Sequence, residues 1–208
     1  MKRYYPHIFF ISVLLLGQLY TGAQMVYATT TGGDVFVRLD SMAKNNGKSE
    51  VVIHDVPYGN NELEYSIILP GNWSVQKISS PEGSLSVGKM LPIGIFLGER
   101  DGVGNPRIQI QAIRVPQTTD VQQWIADYFS TITNAKILSF NYRSRDIVDV
   151  NVEWTIKGHS FLSRMLVKRH DDKLFTVECM ADKNTFDRYQ EIFLKALASF
   201  TTGPVKDL

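Results

Sequence analysis

The chain has 208 residues, with 22 Lys and Arg against 21 Asp and Glu and a formal net charge of +1. A balance this close to neutral gives no long-range attraction for nucleic acid or for an anionic lipid surface, so nucleic acid is not an expected partner. The single cysteine, Cys179, excludes an intramolecular disulfide, and the core alone must hold the fold.

Lys2 and Arg3 open the chain, the apolar run Ile8–Leu16 follows, and a softer stretch ends in Val26-Tyr27-Ala28. Basic, then apolar, then small is the order of a secretory signal peptide, so residues 1–28 are expected to direct export to the periplasm or beyond. Cleavage after Ala28 is the first expectation and after Ala23 the second. Residues 8–28 are also long enough to span a bilayer, so membrane attachment follows only if the leader stays uncleaved. Removing Lys2 and Arg3 from the 22 basic residues leaves 20 against 21 acids, a net charge of −1. No cysteine lies in residues 1–28, which excludes a lipid-anchored leader.

Residues 29–59 read as an N-terminal extension. Asp34–Met42 fits a short helix or a strand, Asn45–Ser49 is a polar linker, Val51–His54 is a short strand, and Tyr58–Asn61 is a turn. The domain proper is expected over 60–202, with 203–208 as a tail.

Leu63, Tyr65, Ile67 and Leu69 alternate with polar neighbours, a period of two that predicts a strand. Pro70-Gly71-Asn72 breaks it, and Trp73–Ile78 reads as the returning strand. A long loop over 79–92 ends in Met90-Leu91-Pro92. Ile93–Leu97 and Arg107–Val115 are further strands around a turn at 99–106; Ile108, Ile110 and Ala112 share a face.

Val121, Trp124, Ile125, Tyr128, Phe129 and Ile132 follow helical spacing, which lays one apolar stripe along a helix. Thr119 and Gln122 fit a capping box, Asp120 suits the positive helix start, and Asn134 fits its end. Lys136–Phe140 begins a run of strands. Val148, Val150, Val152, Trp154 and Ile156 alternate cleanly along the next. Phe161–Lys168 and Leu174–Ala181 complete a meander with short turns. A helix over Thr185–Phe200, capped by Asn184 or Asp182, buries Phe186, Tyr189, Phe193, Ala196, Leu197 and Phe200, and Gly203-Pro204 stops it.

Short connections favour an antiparallel sheet, and two striped helices must each cover a sheet surface. The expected fold class is α+β: an antiparallel sheet of about six strands sandwiched by helices.

The run Tyr65–Trp73, an alternating strand entering a proline turn and a tryptophan, resembles the opening of PsbP-like domains. The ending, a strand hairpin and a helix closing on Ala198-Ser199-Phe200, is similar too. The resemblance covers roughly residues 60–202 and implies a three-layer α/β/α fold. It also implies a non-enzymatic accessory role, as in the lumenal photosystem II subunit, the eukaryotic factor that binds the Ran GTPase, and bacterial envelope proteins or secretion chaperones. Tyr65, Pro70, Trp73 and Phe200 match as architecture, so no functional residue carries over. The simple export leader departs from the bipartite transit peptide of the photosystem members.

No catalytic constellation stands out, and nothing in the chain calls for a cofactor or metal. His54, His159 and His170 lack metal-ligand spacing, and the last two flank one strand at opposite ends. Cys179 alternates with Phe175 and Val177, which places it in the core rather than at a nucleophilic site. Glu99, Asp101 and Asn105 are too few for a calcium loop. Arg143, Arg145, Arg164, Lys168 and Arg169 are basic candidates for one surface. Leu162, Arg164, Leu166 and Lys168 share a half-apolar strand face, which meets an acidic partner or lies under a helix with its long stems packed. The 79–92 loop is long enough to be functional, and Met90 and Leu91 either contact a partner or tuck into the core.

The expected function is an exported, non-catalytic binding or assembly module for an envelope protein partner, with Met90, Leu91, Arg164 and Lys168 as the candidate contacts. The alternative is a carrier or sensor of a small apolar ligand between sheet and helix, lined by Trp124, Phe129 or Trp154. An enzyme of unrecognised class is the third reading.

Overall fold

The computed structural model describes residues 55–76 and 85–204. The leader, the segment 29–50, the strand Val51–His54 with His54, and residues 79–84 of the long loop lie outside them.

The central element is a seven-stranded antiparallel sheet. In chain order it contains β3 (Ser74–Gln76), β4 (Leu91–Leu97), β5 (Arg107–Arg114), β6 (Ala135–Ser144), β7 (Ile147–Ile156), β8 (His159–His170) and β9 (Lys173–Asp182). Across the sheet the order is β3-β4-β5-β9-β8-β7-β6. The 145–183 region is the expected meander. Its β7–β8 turn is two residues, Lys157 (φ 50°) and Gly158 (φ 80°). Positive φ at both positions matches the right-handed twist of the flanking strands.

A second sheet of three strands has the order β1-β2-β10, from Asp55–Asn60, Tyr65–Pro70 and Thr201–Thr202. Helix α1 spans Val121–Ser130. Helix α2 spans Gln190–Ser199 and is entered through a 3₁₀ turn at Phe186–Tyr189.

The central strands of the large sheet are buried on both faces. On one, Val121, Ile125 and Phe129 of α1 pack with Val148, Val150, Val152, Met165, Val167 and Leu174. On the other, Phe193, Ala196 and Leu197 of α2, with Tyr65, Ile67 and Leu69 of β2, close over Phe96, Ile108, Ile110, Phe175, Val177 and Cys179. Alternation along β5 and β9 sends successive side chains into the two clusters.

The α+β class with an antiparallel sheet and helices on both faces is therefore present. The large sheet has seven strands rather than about six, and its second face is shared between α2 and a small sheet. Several local expectations are corrected. Tyr58–Asn60 is not a turn but the end of β1, which pairs Asp55–Asn60 with Pro70–Tyr65. The fold thus takes in residues 55–59. Pro57 is tolerated because β1 is an edge strand, where a missing N–H costs no ladder bond. The turn follows instead at 61–64, where the Asn60 side-chain carbonyl accepts the Leu63 N–H at 2.7 Å and Glu64 adopts φ 58°.

The segment after Trp73 does not return along β2. It leaves that sheet, and Ser74–Gln76 pairs with Leu97–Ile95 of β4. The cap of α1 is Asp120 rather than Thr119: its carboxylate accepts the N–H groups of Gln122 (2.8 Å) and Gln123 (3.1 Å). An anionic acceptor satisfies two of the orphan first-turn donors and complements the helix dipole. The helix ends at Thr131, before Asn134. Thr185 precedes the 3₁₀ turn without a side-chain cap bond, so neither Asn184 nor Asp182 caps that helix in the expected sense.

Candidate functional site

The four residues singled out as partner contacts do not form one surface. Met90 is half-buried, packs against the cluster beneath α1, and its sulfur accepts the Thr176 hydroxyl at 3.7 Å. Leu91 is the first residue of β4, half-buried and paired with Ala112. Arg164 and Lys168 lie on β8 opposite Cys179 and Phe175, on the face of the sheet that α2 covers. Both are half-buried, and burial pulls the Lys168 ammonium below its ordinary pKa. The sheet itself therefore separates Met90 from the Arg164–Lys168 pair. Arg143 bonds Asp149 on β7, which pairs with Leu166 between Arg164 and Lys168, whereas Arg169 bonds Asp146.

The titratable groups are dispersed. Glu64 accepts Lys173 at 2.9 Å, Glu153 pairs with Lys183 at 2.6 Å, and each lysine holds its carboxyl below the usual carboxylate range. Asp101 binds Arg188 and accepts the Tyr189 hydroxyl at 3.0 Å, while Asn105 donates to the Gly98 carbonyl at 2.8 Å. Of the oxygen ligands of the 99–106 turn, the Asp101 carboxylate is thus engaged by Arg188 and Tyr189. Among the described residues no three His, Cys, Asp or Glu side chains gather to hold a metal ion. His159 and His170 are the first and last residues of β8. Cys179 is fully buried, its sulfur is 4.0 Å from the Phe193 carbonyl, and burial drives its thiol well above the ordinary range.

One polar pair is buried under α1. Arg107 meets Glu178 at 3.5 Å, and Glu178 is only 7% exposed. The Tyr128 hydroxyl is pushed up to about 12, first by burial and then by the Glu178 charge. The Arg107 guanidinium neutralises the Glu178 charge beneath the helix.

The space expected to hold a ligand, around Trp124, Phe129 and Trp154, is filled by those rings. Phe129 and Trp154 are 6.1 Å apart, Trp124 stacks on Tyr128 at 5.2 Å, and the Trp154 indole N–H donates to Ser163 at 2.8 Å. A cavity of about 410 Å³ opens instead beside α2, between Ile68 and Pro70 of β2, Trp73, and Tyr189 and Ile192 of the C-terminal helical segment.

The most exposed apolar surface of the large sheet is β6. It is the last strand in the order and, among the described strands, pairs only with β7. Leu138 is 48% exposed, Phe140 38% and Tyr142 50%, and the Phe140 and Tyr142 rings stack at 6.0 Å within 6° of parallel. Register shifts fall at Ile137/Ser139 and Tyr142/Ser144, leaving Ser139–Tyr142 as a regular run. Residues 135–145 carry Lys136, Arg143 and Arg145 and no acid. The sequence reading stopped this strand at Phe140. The signal that extends it was present, because Phe140 and Tyr142 alternate with Asn141 and Arg143. What no local pattern shows is that nothing among the described strands pairs beyond it.

No protein-family model matches this chain. No curated protein matches it either. Solved structures do. The solution structure of CyanoP, the cyanobacterial PsbP of Synechocystis sp. PCC 6803, superposes with a TM-score of 0.52 at 14% identity, covering 76% of this chain and 98% of CyanoP. LpqN of Mycobacterium tuberculosis, described as involved in cell envelope biogenesis, gives a TM-score of 0.48 at 10% identity over 74% of this chain and 92% of LpqN. An antiparallel sheet of this order between helices, with Trp73 and Phe200 seated against the same core, is a PsbP-like fold.

Proposed function

We propose that this chain is an exported, non-catalytic docking module that binds a protein partner along the β6 edge. The observation that carries the reading is that edge: ten residues long, with Leu138, Phe140 and Tyr142 open to solvent. Exposed edges of this length and apolarity invite pairing with another chain, and folded proteins ordinarily suppress them. The export half rests on the Lys2-Arg3 and Ile8–Leu16 leader. The non-catalytic half is supported by the dispersal of the described acids, several of which, such as Glu64, Asp149 and Glu153, are each bound to a cation.

The test places a photo-cross-linking residue at Leu138 or, as a control, at Leu194, which is equally exposed on α2 at 47%. The full chain is expressed in cells that export it. A discrete higher-mass adduct from position 138, lost when Phe140→Ser and Tyr142→Ser are combined, is expected. Equal adducts at both positions, or none at 138, would defeat the reading. N-terminal sequencing of the exported protein reports on the leader: a chain still starting at Met1 contradicts cleavage.

A second reading is favoured by the cavity beside α2, whose volume of about 410 Å³ falls in the range of small-molecule sites. In it the chain carries a small apolar ligand between sheet and helix, against Trp73 and Ile68. Quenching of Trp73 fluorescence by a fatty-acid series, abolished by Ile68→Glu, is the expected outcome. No change in the Trp73 signal removes it.

A further inference from the structure

We infer that the β6 edge accepts an extended acidic segment of a partner protein as an eighth strand of the large sheet. The assignment rests on the docking reading above and adds the chemistry of the occupant. Among the described strands, β6 offers a sheet end of ten residues. The irregularities in β6 bracket Ser139–Tyr142 without interrupting it, so four consecutive residues keep the regular spacing an added strand needs.

Charge selects among the possible occupants. Lys136 and Arg145 flank the run, one on each side, with no acid from 135 to 145; Arg143 is already paired with Asp149, and Lys136 lies opposite Glu153, which Lys183 binds. An antiparallel second copy centred on the run would set Lys136 against Arg145 at both ends, and like charges facing each other across a ladder are destabilising. An anionic lipid surface satisfies the charges but leaves the outward N–H and C=O groups of the edge without ladder partners. An extended segment with acids flanking apolar side chains satisfies both. Its backbone continues the ladder, its apolar residues cover Phe140 and Tyr142, and its carboxylates meet the cations.

The test follows hydrogen exchange of the full exported chain with synthetic probes: a peptide alternating valine and glutamate, its valine–lysine counterpart, and vesicles of anionic phospholipid. The glutamate peptide is expected to slow exchange within Ser139–Tyr142. The lysine peptide binds at least about tenfold more weakly, and combining Lys136→Glu with Arg145→Glu reverses the preference, since opposed cross-strand charges set it. Equal binding of both peptides, concentration-dependent dimerisation through β6, or protection by vesicles but not by the glutamate peptide overturns the assignment. If neither peptide binds while the Leu138 cross-linker still captures a discrete partner, the acidic assignment falls and the docking reading stands. If the cross-linker fails too, both fall.

Discussion

The carboxylate of Asp182, at the end of β9, accepts the backbone N–H of Val103 at 3.2 Å, across 79 positions of sequence, and that of Asn184 at 2.8 Å. One side chain thereby ties the 99–106 turn to the start of the C-terminal helical segment. The Asn184 and Val103 amides hold the Asp182 carboxyl below the usual carboxylate range. A carboxyl whose pKa is lower folded than unfolded contributes stability at pH values above its unfolded pKa, near ~3.9. That contribution is lost as pH falls through the folded value. Asp182→Asn is therefore expected to lower Tm at pH 7, with the gap from the parent closing below about pH 4. Thermal unfolding by circular dichroism from pH 7 to pH 3 checks this, and a gap independent of pH contradicts it.

Gly102 lies against the same carboxylate. Its φ is +72°, and a methyl group there would sit 2.9 Å from the Asp182 Oδ2. Gly158, with φ +80°, has open space around it. Gly158→Ala is expected to cost about 1 kcal/mol, the left-handed backbone penalty alone. Gly102→Ala should cost more, because the carboxylate must move off the Val103 amide. A double-mutant cycle separates the two terms: in an Asp182→Ala background, which removes the opposing carboxylate, the excess at Gly102 should shrink. Equal losses at the two glycines would refute the contact.

Phe193 is fully buried, with ring centroids of Phe186, Tyr189 and Trp73 at 5.5, 5.9 and 6.2 Å. Phe193→Ala is expected to cost about 3–5 kcal/mol through lost burial and the cavity left behind. Tyr142→Ser, at the exposed edge, should stay within about 0.5 kcal/mol. Urea unfolding measures both, and a large loss at Tyr142 would mean that its ring is structural rather than available for docking.

Cys179 has no exposed surface, and its thiol is driven up, first by burial. The thiolate is the reactive form, so labelling by an aromatic disulfide reagent should be negligible in native buffer and complete in denaturant. Fast stoichiometric labelling of the native protein would contradict the burial.

Much of the fold is legible in single stretches of sequence. The period of two over 147–156 and the helical stripe from Val121 to Phe129 arise from chain geometry alone, and both appear where the pattern places them. The depth of Cys179 follows from its alternation with Phe175 and Val177. The cap of α1 was misplaced by one residue because Thr119 and Asp120 both suit a helix start; the structure selects the carboxylate, which reaches two N–H groups. The candidate contacts were legible as residue types but not as a site. Arg164 and Lys168 share a strand face, whereas Met90 lies on the other side of the sheet.

Local patterning fixes the strands from Tyr65 and from Val148, the stripe of α1 and the place of Cys179 in the core. Long-range pairing takes Ser74–Gln76 from β2 to β4, adds residues 55–60 as a strand of a second sheet, and leaves β6 at an edge among the described strands. The reason is range. Side-chain periodicity is set by backbone geometry within a few residues, whereas a strand's neighbour is chosen by pairing across tens to more than a hundred positions, as when Thr201 meets Ser66. Which strand remains without a second neighbour is a property of the whole ladder.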